Sequence, residues 1–143
     1  MLRKQFEEVL AEFGEIVKRP LALDDDATAT FVVDDEIIVN LQYLDASDGV
    51  VAFAPVGGFG GRDAPEAGEK ALELLRLNEP GGMTEGFTLA LDEEADLVLA
   101  MDRRSAIEFA DADSFAAWIE ALVRAVRAVS RHFAERFPAE EEP

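Results

Sequence analysis

The sequence predicts an α+β fold, an antiparallel sheet with helices packed on it, in the order α-β-β-β-α-β-β-α. Three observations carry that expectation. Apolar residues recur at helical spacing near both ends of the chain, and a shorter helical stretch stands in the middle. Between these lie short runs rich in β-branched and aromatic residues, separated by acidic or Pro-Gly turns. No strand–helix–strand unit repeats, so the strands are expected to pair as hairpins. The length of 143 residues suits one domain, read here as residues 1–138, with the acidic residues 139–143 as a disordered tail.

Residues 2–18 form the first helix. Leu2, Phe6, Val9, Leu10, Phe13, Ile16 and Val17 lie on one stripe, and Glu7, Glu8, Glu12 and Glu15 on the other side. Pro20 stops it. Three strands follow in a meander. Thr28–Val33 turns at Asp34-Asp35 into Glu36–Leu44, and a turn over Asp45–Gly49 leads to Val50–Val56. In the middle strand Ile37, Val39, Leu41 and Tyr43 share one face, and Ile38, Asn40, Gln42 and Leu44 the other. Residues 57–63, GGFGGRD, read as a flexible loop.

A second helix runs to about Asn78, with Pro65 at its start and Asp63 as its expected cap. Its apolar residues fall along two lines, Leu72 and Leu75 on one, Ala67, Ala71 and Leu74 on the other. Such a helix needs cover on both sides. A Pro-Gly-Gly turn leads to a hairpin of Phe87–Asp92 and Leu97–Asp102, joined by an acidic turn. Arg103–Ala112 is a linker or a continuation of the strand. The last helix starts near Asp113 or Ser114 and buries Phe115, Trp118, Ile119, Leu122, Val126, Val129 and Phe133. Arg124, Arg127 and Arg131 read as a solvated outer face, and Pro138 ends the helix.

Hydrophobic residues make up 49% of the chain, enough for a core despite the charge. Asp and Glu number 31 against 13 Lys and Arg, a formal net charge of −18. That field repels nucleic acid and anionic membranes, so neither is an expected partner. It keeps a sticky protein soluble and favours basic partners. The absence of cysteine removes disulfides, thiolate nucleophiles and cysteine-type zinc sites. No signal-peptide core and no apolar run of about 20 residues is seen, so a cytoplasmic location is expected.

Catalytic chemistry finds little support. The GGFGG segment lacks the last Gly of a dinucleotide fingerprint, no Gly-Lys-Ser/Thr follows, and Asp63 and Glu66 put negative charge where a phosphate would sit. His132 is the only histidine and has no second histidine to complete a metal set. Asp92–Asp96 lacks the spacing of a calcium loop. No enzyme activity, catalytic residue, metal or cofactor is expected.

Two surfaces are more informative. The two-sided helix over 66–78 either meets the sheet on one side and a second subunit on the other, or is buried on both sides within one chain. On the middle strand, Ile38 and Leu44 flank Asn40 and Gln42, and such a face with a free sheet edge can accept an extended peptide by strand addition. Scattered surface hydrophobics are the plainer account.

These features converge on a family. Leu74-Leu75-Arg76-Leu77-Asn78, then Gly86-Phe87-Thr88-Leu89-Ala90-Leu91-Asp92 and Leu97-Val98-Leu99, and finally Phe115 to Leu122, match its pattern. The chain resembles class I type III secretion chaperones, the Tir chaperone family, over nearly its whole length. The GGFGG loop is a departure. The resemblance implies a homodimer whose twofold uses Leu72, Leu74, Leu75 and Asn78. It implies that the N-terminal nonglobular segment of a secreted effector wraps around the dimer in extended form. Phe6, Leu10 and Phe13 would lie in the first-helix region that borders the client grooves, some of them also in the core, with Ile38, Asn40, Gln42 and Leu44 on the sheet. The chaperone would keep its client soluble and hand it to the secretion ATPase, without hydrolysing ATP itself. The alternative role is sequestration of a transcriptional or secretion regulator on the same fold.

Overall fold

A computed structural model describes residues 2–138; the tail expected over 139–143 lies outside the described residues. The elements follow the expected order: α1 (Leu2–Ile16), β1 (Thr28–Val33), β2 (Ile37–Leu44), β3 (Gly49–Gly58), α2 (Ala67–Leu77), β4 (Thr88–Asp92), β5 (Leu97–Ser105) and α3 (Ala112–Arg136), with a 3-10 turn over Ala106–Glu108. The strands form one antiparallel sheet in the order β1-β2-β3-β5-β4.

The turns explain the register. Asp34 and Asp35 both take left-handed backbone, φ 53° and 56°. The connection is three residues long, Asp34 to Glu36, with the Glu36 N–H donating to the Val33 carbonyl over 3.1 Å, and short polar side chains tolerate the left-handed backbone at its first two positions. It pairs Val33 with Ile37 and sends Ile37, Val39, Leu41 and Tyr43 into the core, each less than 5% exposed.

One face of the sheet packs against α1 and α3. Phe6 of α1 meets Tyr43 and Phe115, and Phe13 meets Phe31 and Phe115 in an edge-to-face contact 5.0 Å apart. On β3 and β5 the inward residues include Ala52, Ala54 and Ala100, all fully buried. Small side chains there let α3 approach closely. Trp118 of α3 donates its indole N–H to Asp102 over 2.9 Å, which satisfies a buried polar atom at the core's margin. On the other face Val51, Phe53, Leu99 and Met101 remain half-buried.

Several boundaries differ from expectation. Asp111, not Asp113 or Ser114, caps α3: its carboxylate accepts the Ser114 N–H over 2.8 Å, and Ser114 reaches back to the Asp111 N–H. Asp63 does not cap α2, whose first turn follows Glu66 without a side-chain cap. The stretch after Asp102 continues β5 to Ser105 and then turns through a box formed by Ser105 and Glu108. The GGFGG segment is anchored. Gly57 and Gly58 extend β3, Phe59 is buried, and the Gly60 and Gly61 N–H groups donate to the Asp96 carboxylate over 3.1 and 3.0 Å. Both glycines have φ near +92°, which places their N–H groups around that one acid.

Candidate partner-binding surfaces

The second helix is held to the body by its ends and its middle. At its start Lys70 donates to the Phe59 carbonyl over 2.8 Å and lies against the Phe59 and Phe137 rings. At its end the Asn78 amide makes both backbone bonds of Leu89, accepting from its N–H over 2.7 Å and donating to its carbonyl over 3.1 Å. In the middle Leu74 is buried and Leu77 packs partly beneath. Beside Leu74, Glu73 is buried too. Its carboxylate meets His132 Nε2 over 2.9 Å and Arg76 over 3.2 Å. The hydrogen bond from His132, opposed in part by burial and helped by Arg76, holds the Glu73 carboxyl below its ordinary range.

The four residues expected at a dimer contact therefore divide. Leu72 and Leu75 face outward, 48% and 70% exposed, the large apolar residues that the helix leaves uncovered among the described residues. Leu74 and Asn78 are used within the chain, one in the core and the other on β4, because the helix's inner line must cover the sheet edge.

The expected client residues divide as well. Phe6, Leu10 and Phe13 are at most 5% exposed, locked in the aromatic cluster under the sheet. In this chain all three side chains belong to the core. The helical stripe that marked them is the core stripe of α1. On β2, Ile38 is 46% exposed and Gln42 is exposed, while Asn40 and Leu44 are half-buried. Asn40 accepts from the Thr30 hydroxyl over 3.1 Å, so β1 and β2 are joined across that face.

Two arginines of α3 are paired. Arg124 holds Glu85 in a bidentate bridge, with bonds of 2.9 Å to both carboxylate oxygens, and keeps that carboxyl below its ordinary range. Arg127 pairs with Asp34 of the β1–β2 turn. Tyr43 is buried, and desolvation with a 2.6 Å bond to Asp48 pushes its phenol well above the ordinary value. These contacts explain stability and offer no reactive group. Among the described residues, none forms a group of three or more His, Asp or Glu able to hold a metal.

Sequence reasoning missed the Glu73–His132 pair and the Asp96 anchor. The faint signal for the first was a charged residue, Glu73, between Leu72 and Leu74 of a helix that needs two-sided cover. The second had none, since residues 60 and 96 meet only through the fold.

Comparison with known proteins places this geometry. The model of the Tir chaperone protein (CesT) family matches residues 8–130. A chain of the ExsC–ExsE complex superposes with a TM-score of 0.72 and 19% identity, covering 90% of this chain and 92% of that one. A chain of the HopA1–SchA chaperone–effector complex gives 0.67 and 19%, covering 89% and 94%. A chain from the Yersinia pestis type III secretion chaperone SycH, in complex with a stable fragment of YscM2, gives 0.65 and 18%, covering 86% and 98%. At these identities the likeness is one of fold. Comparison with curated protein sequences gives no match.

Proposed function

The chain belongs to the Tir chaperone protein (CesT) family, and from that premise we propose that it is a type III secretion chaperone that binds the N-terminal nonglobular segment of an effector and keeps it secretion-competent. The observation that carries this reading is the family match over residues 8–130. The fold it shares with chains of chaperone–effector complexes supports it.

The physical arrangement suits such a role. A disordered client is ordered on binding, so it needs a long surface to offset that entropy. The half-buried sheet face over Val51, Phe53, Leu99 and Met101, continued by Ile38 and Leu44, offers apolar anchors without a concave reactive site. Each well-buried anchor contributes roughly 1.5–3 kcal/mol before ordering costs. On this reading Ile38, Asn40, Gln42 and Leu44 touch the client. Leu72 and Leu75 meet their counterparts across a homodimer twofold, and the loaded chaperone is delivered to the secretion ATPase. No catalysis belongs to this role.

The test is capture of the tagged chain from cells induced for secretion, with mass spectrometry of what it holds and light scattering of the complex. A single partner, lost when that partner's N-terminal segment is deleted, supports the reading. A partner that is a DNA-binding or secretion regulator assigns the chain to sequestration instead. No partner under inducing conditions overturns both.

A further inference from the structure

The sheet splits between β2 and β3. These strands pair from Leu44–Gly49 to Asn40–Phe53 and no further. β2 runs on against β1 to Ile37, and β3 runs on against β5 to Gly58. Among the described residues, β3 therefore has no strand on its β2 side past Phe53. Pro55, which has no N–H, and a register shift between Pro55 and Gly57 stand where the pairing stops.

The split is open. A cavity of about 400 Å³ lies between Glu36 and Ile37 on one side and Pro55 and Val56 on the other, with Arg127 and Arg131 of α3 along it. A second, of about 200 Å³, continues from Val56 past Gly57 and Gly58 to Phe133 and Phe137, with Lys70 at its far end. The two share Val56, Ser130 and Ala134, so they form one groove that starts at the free edge of β3 and crosses its Gly57–Gly58 end toward Val98 of β5. A Cβ at Gly57 would meet nothing within 4 Å, which leaves the backbone there bare.

The lining of the groove is richer in cations than the molecule as a whole. Acidic residues outnumber basic ones 31 to 13 in the chain, but here Lys70, Arg127 and Arg131 stand against Glu36 alone. Arg127 is neutralised by Asp34, and Lys70 is bonded to a carbonyl, so Arg131 is the exposed cation nearest the split. An exposed cation on a strongly negative body favours an acidic side chain on the partner at that point.

We propose that this groove is a docking site for an extended peptide segment of alternating apolar and acidic residues. Its backbone pairs with Val56–Gly58 as an added strand, an apolar side chain lies against Phe133 and Phe137, and a carboxylate meets Arg131. The proposal rests on the chaperone reading, because it names a further stretch of the same client's path, away from the β2 face.

The full chain is titrated with two capped octapeptides, one alternating valine with glutamate and the other valine with lysine, followed by amide chemical shifts and hydrogen exchange. The glutamate peptide is expected to shift and protect Val56, Gly57 and Gly58. Arg131→Glu, at an exposed position, should weaken it about tenfold without moving the thermal midpoint. Ser130→Trp, also at an exposed position, fills the shared waist and should abolish it. No binding, equal binding of the lysine peptide, protection at β1 or β4 instead, or unchanged affinity in both variants overturns the proposal. Binding only after truncation at Pro138 also overturns it, because the groove then belongs to the chain's own end. A native effector bound equally by wild type and both variants overturns the groove and leaves the chaperone reading intact.

Discussion

His132 Nε2 stands 2.9 Å from Glu73 Oε1, so the only histidine of the chain ties α3 to a buried acid on α2. Leu72 and Leu75 project from that same helix, and the pair helps to set the direction in which they point. The Glu73 carboxyl is held below its ordinary range, chiefly by this bond and further by Arg76. A carboxylate with a depressed folded-state pKa contributes stability that is fully present above the unfolded-state pKa and lost as pH falls through the folded one. Glu73→Gln should therefore cost about 1–2 kcal/mol at pH 7. The difference from wild type should shrink as the pH is lowered from about 5 toward 3. Urea unfolding followed across that range checks it, and a deficit independent of pH would remove the ionic account.

Leu75 is 70% exposed while its neighbour Leu74 is 7% exposed, and the two should respond oppositely. Leu75→Glu places a charge in solvent in the isolated chain and should leave it folded, but at a twofold contact it should give monomers by light scattering. Leu74→Ala opens a hole over β4 and should cost about 2–4 kcal/mol in chemical denaturation. A Leu75→Glu chain that remains dimeric would move the self-association surface off α2.

Element order and the burial of β2 were legible because hydrophobic periodicity encodes them directly. The alternation Ile37, Val39, Leu41, Tyr43 could point only one way once Asp34-Asp35 fixed the hairpin. What periodicity cannot say is what covers a buried stripe. The stripe of Phe6, Leu10 and Phe13 shows that these residues are buried, and its use by the chain's own aromatic cluster or by a client looks the same in sequence. Asn78 was legible as a helix end, but its partner Leu89 lies in the next strand, beyond the reach of local pattern. The GGFGG run read as flexible because glycine is permissive alone; Asp96, brought over by the β4–β5 turn, removes that freedom.

That anchor is testable at single residues. Asp96→Ala deletes the acceptor for two backbone N–H groups while leaving the Asp96 carbonyl bond to the Phe59 N–H available. Amide exchange should quicken at Gly60 and Gly61 and much less at Phe59, with a global cost of about 1–2 kcal/mol. Equal acceleration along all of β3 would mean that the carboxylate supports the sheet and not the loop alone.

The Asn78 amide provides the sharpest contrast between variants, because its two ends do opposite work. Its oxygen accepts from the Leu89 N–H and its nitrogen donates to the Leu89 carbonyl. Asn78→Ala removes both bonds from a part-buried site and should cost about 1–2 kcal/mol. Asn78→Asp keeps the acceptor and the shape, but turns the donor into a carboxylate oxygen that faces a carbonyl oxygen. Repulsion there should make the aspartate variant the less stable of the two at pH 7, although it retains one bond that alanine lacks. Below about pH 4 the protonated acid regains a donor, and the order should invert. Thermal unfolding of both variants at pH 7 and pH 3.5 reads this directly. An aspartate variant more stable than the alanine at neutral pH would show that the edge of β4 opens to water and that the clamp on Leu89 is not what holds the end of α2.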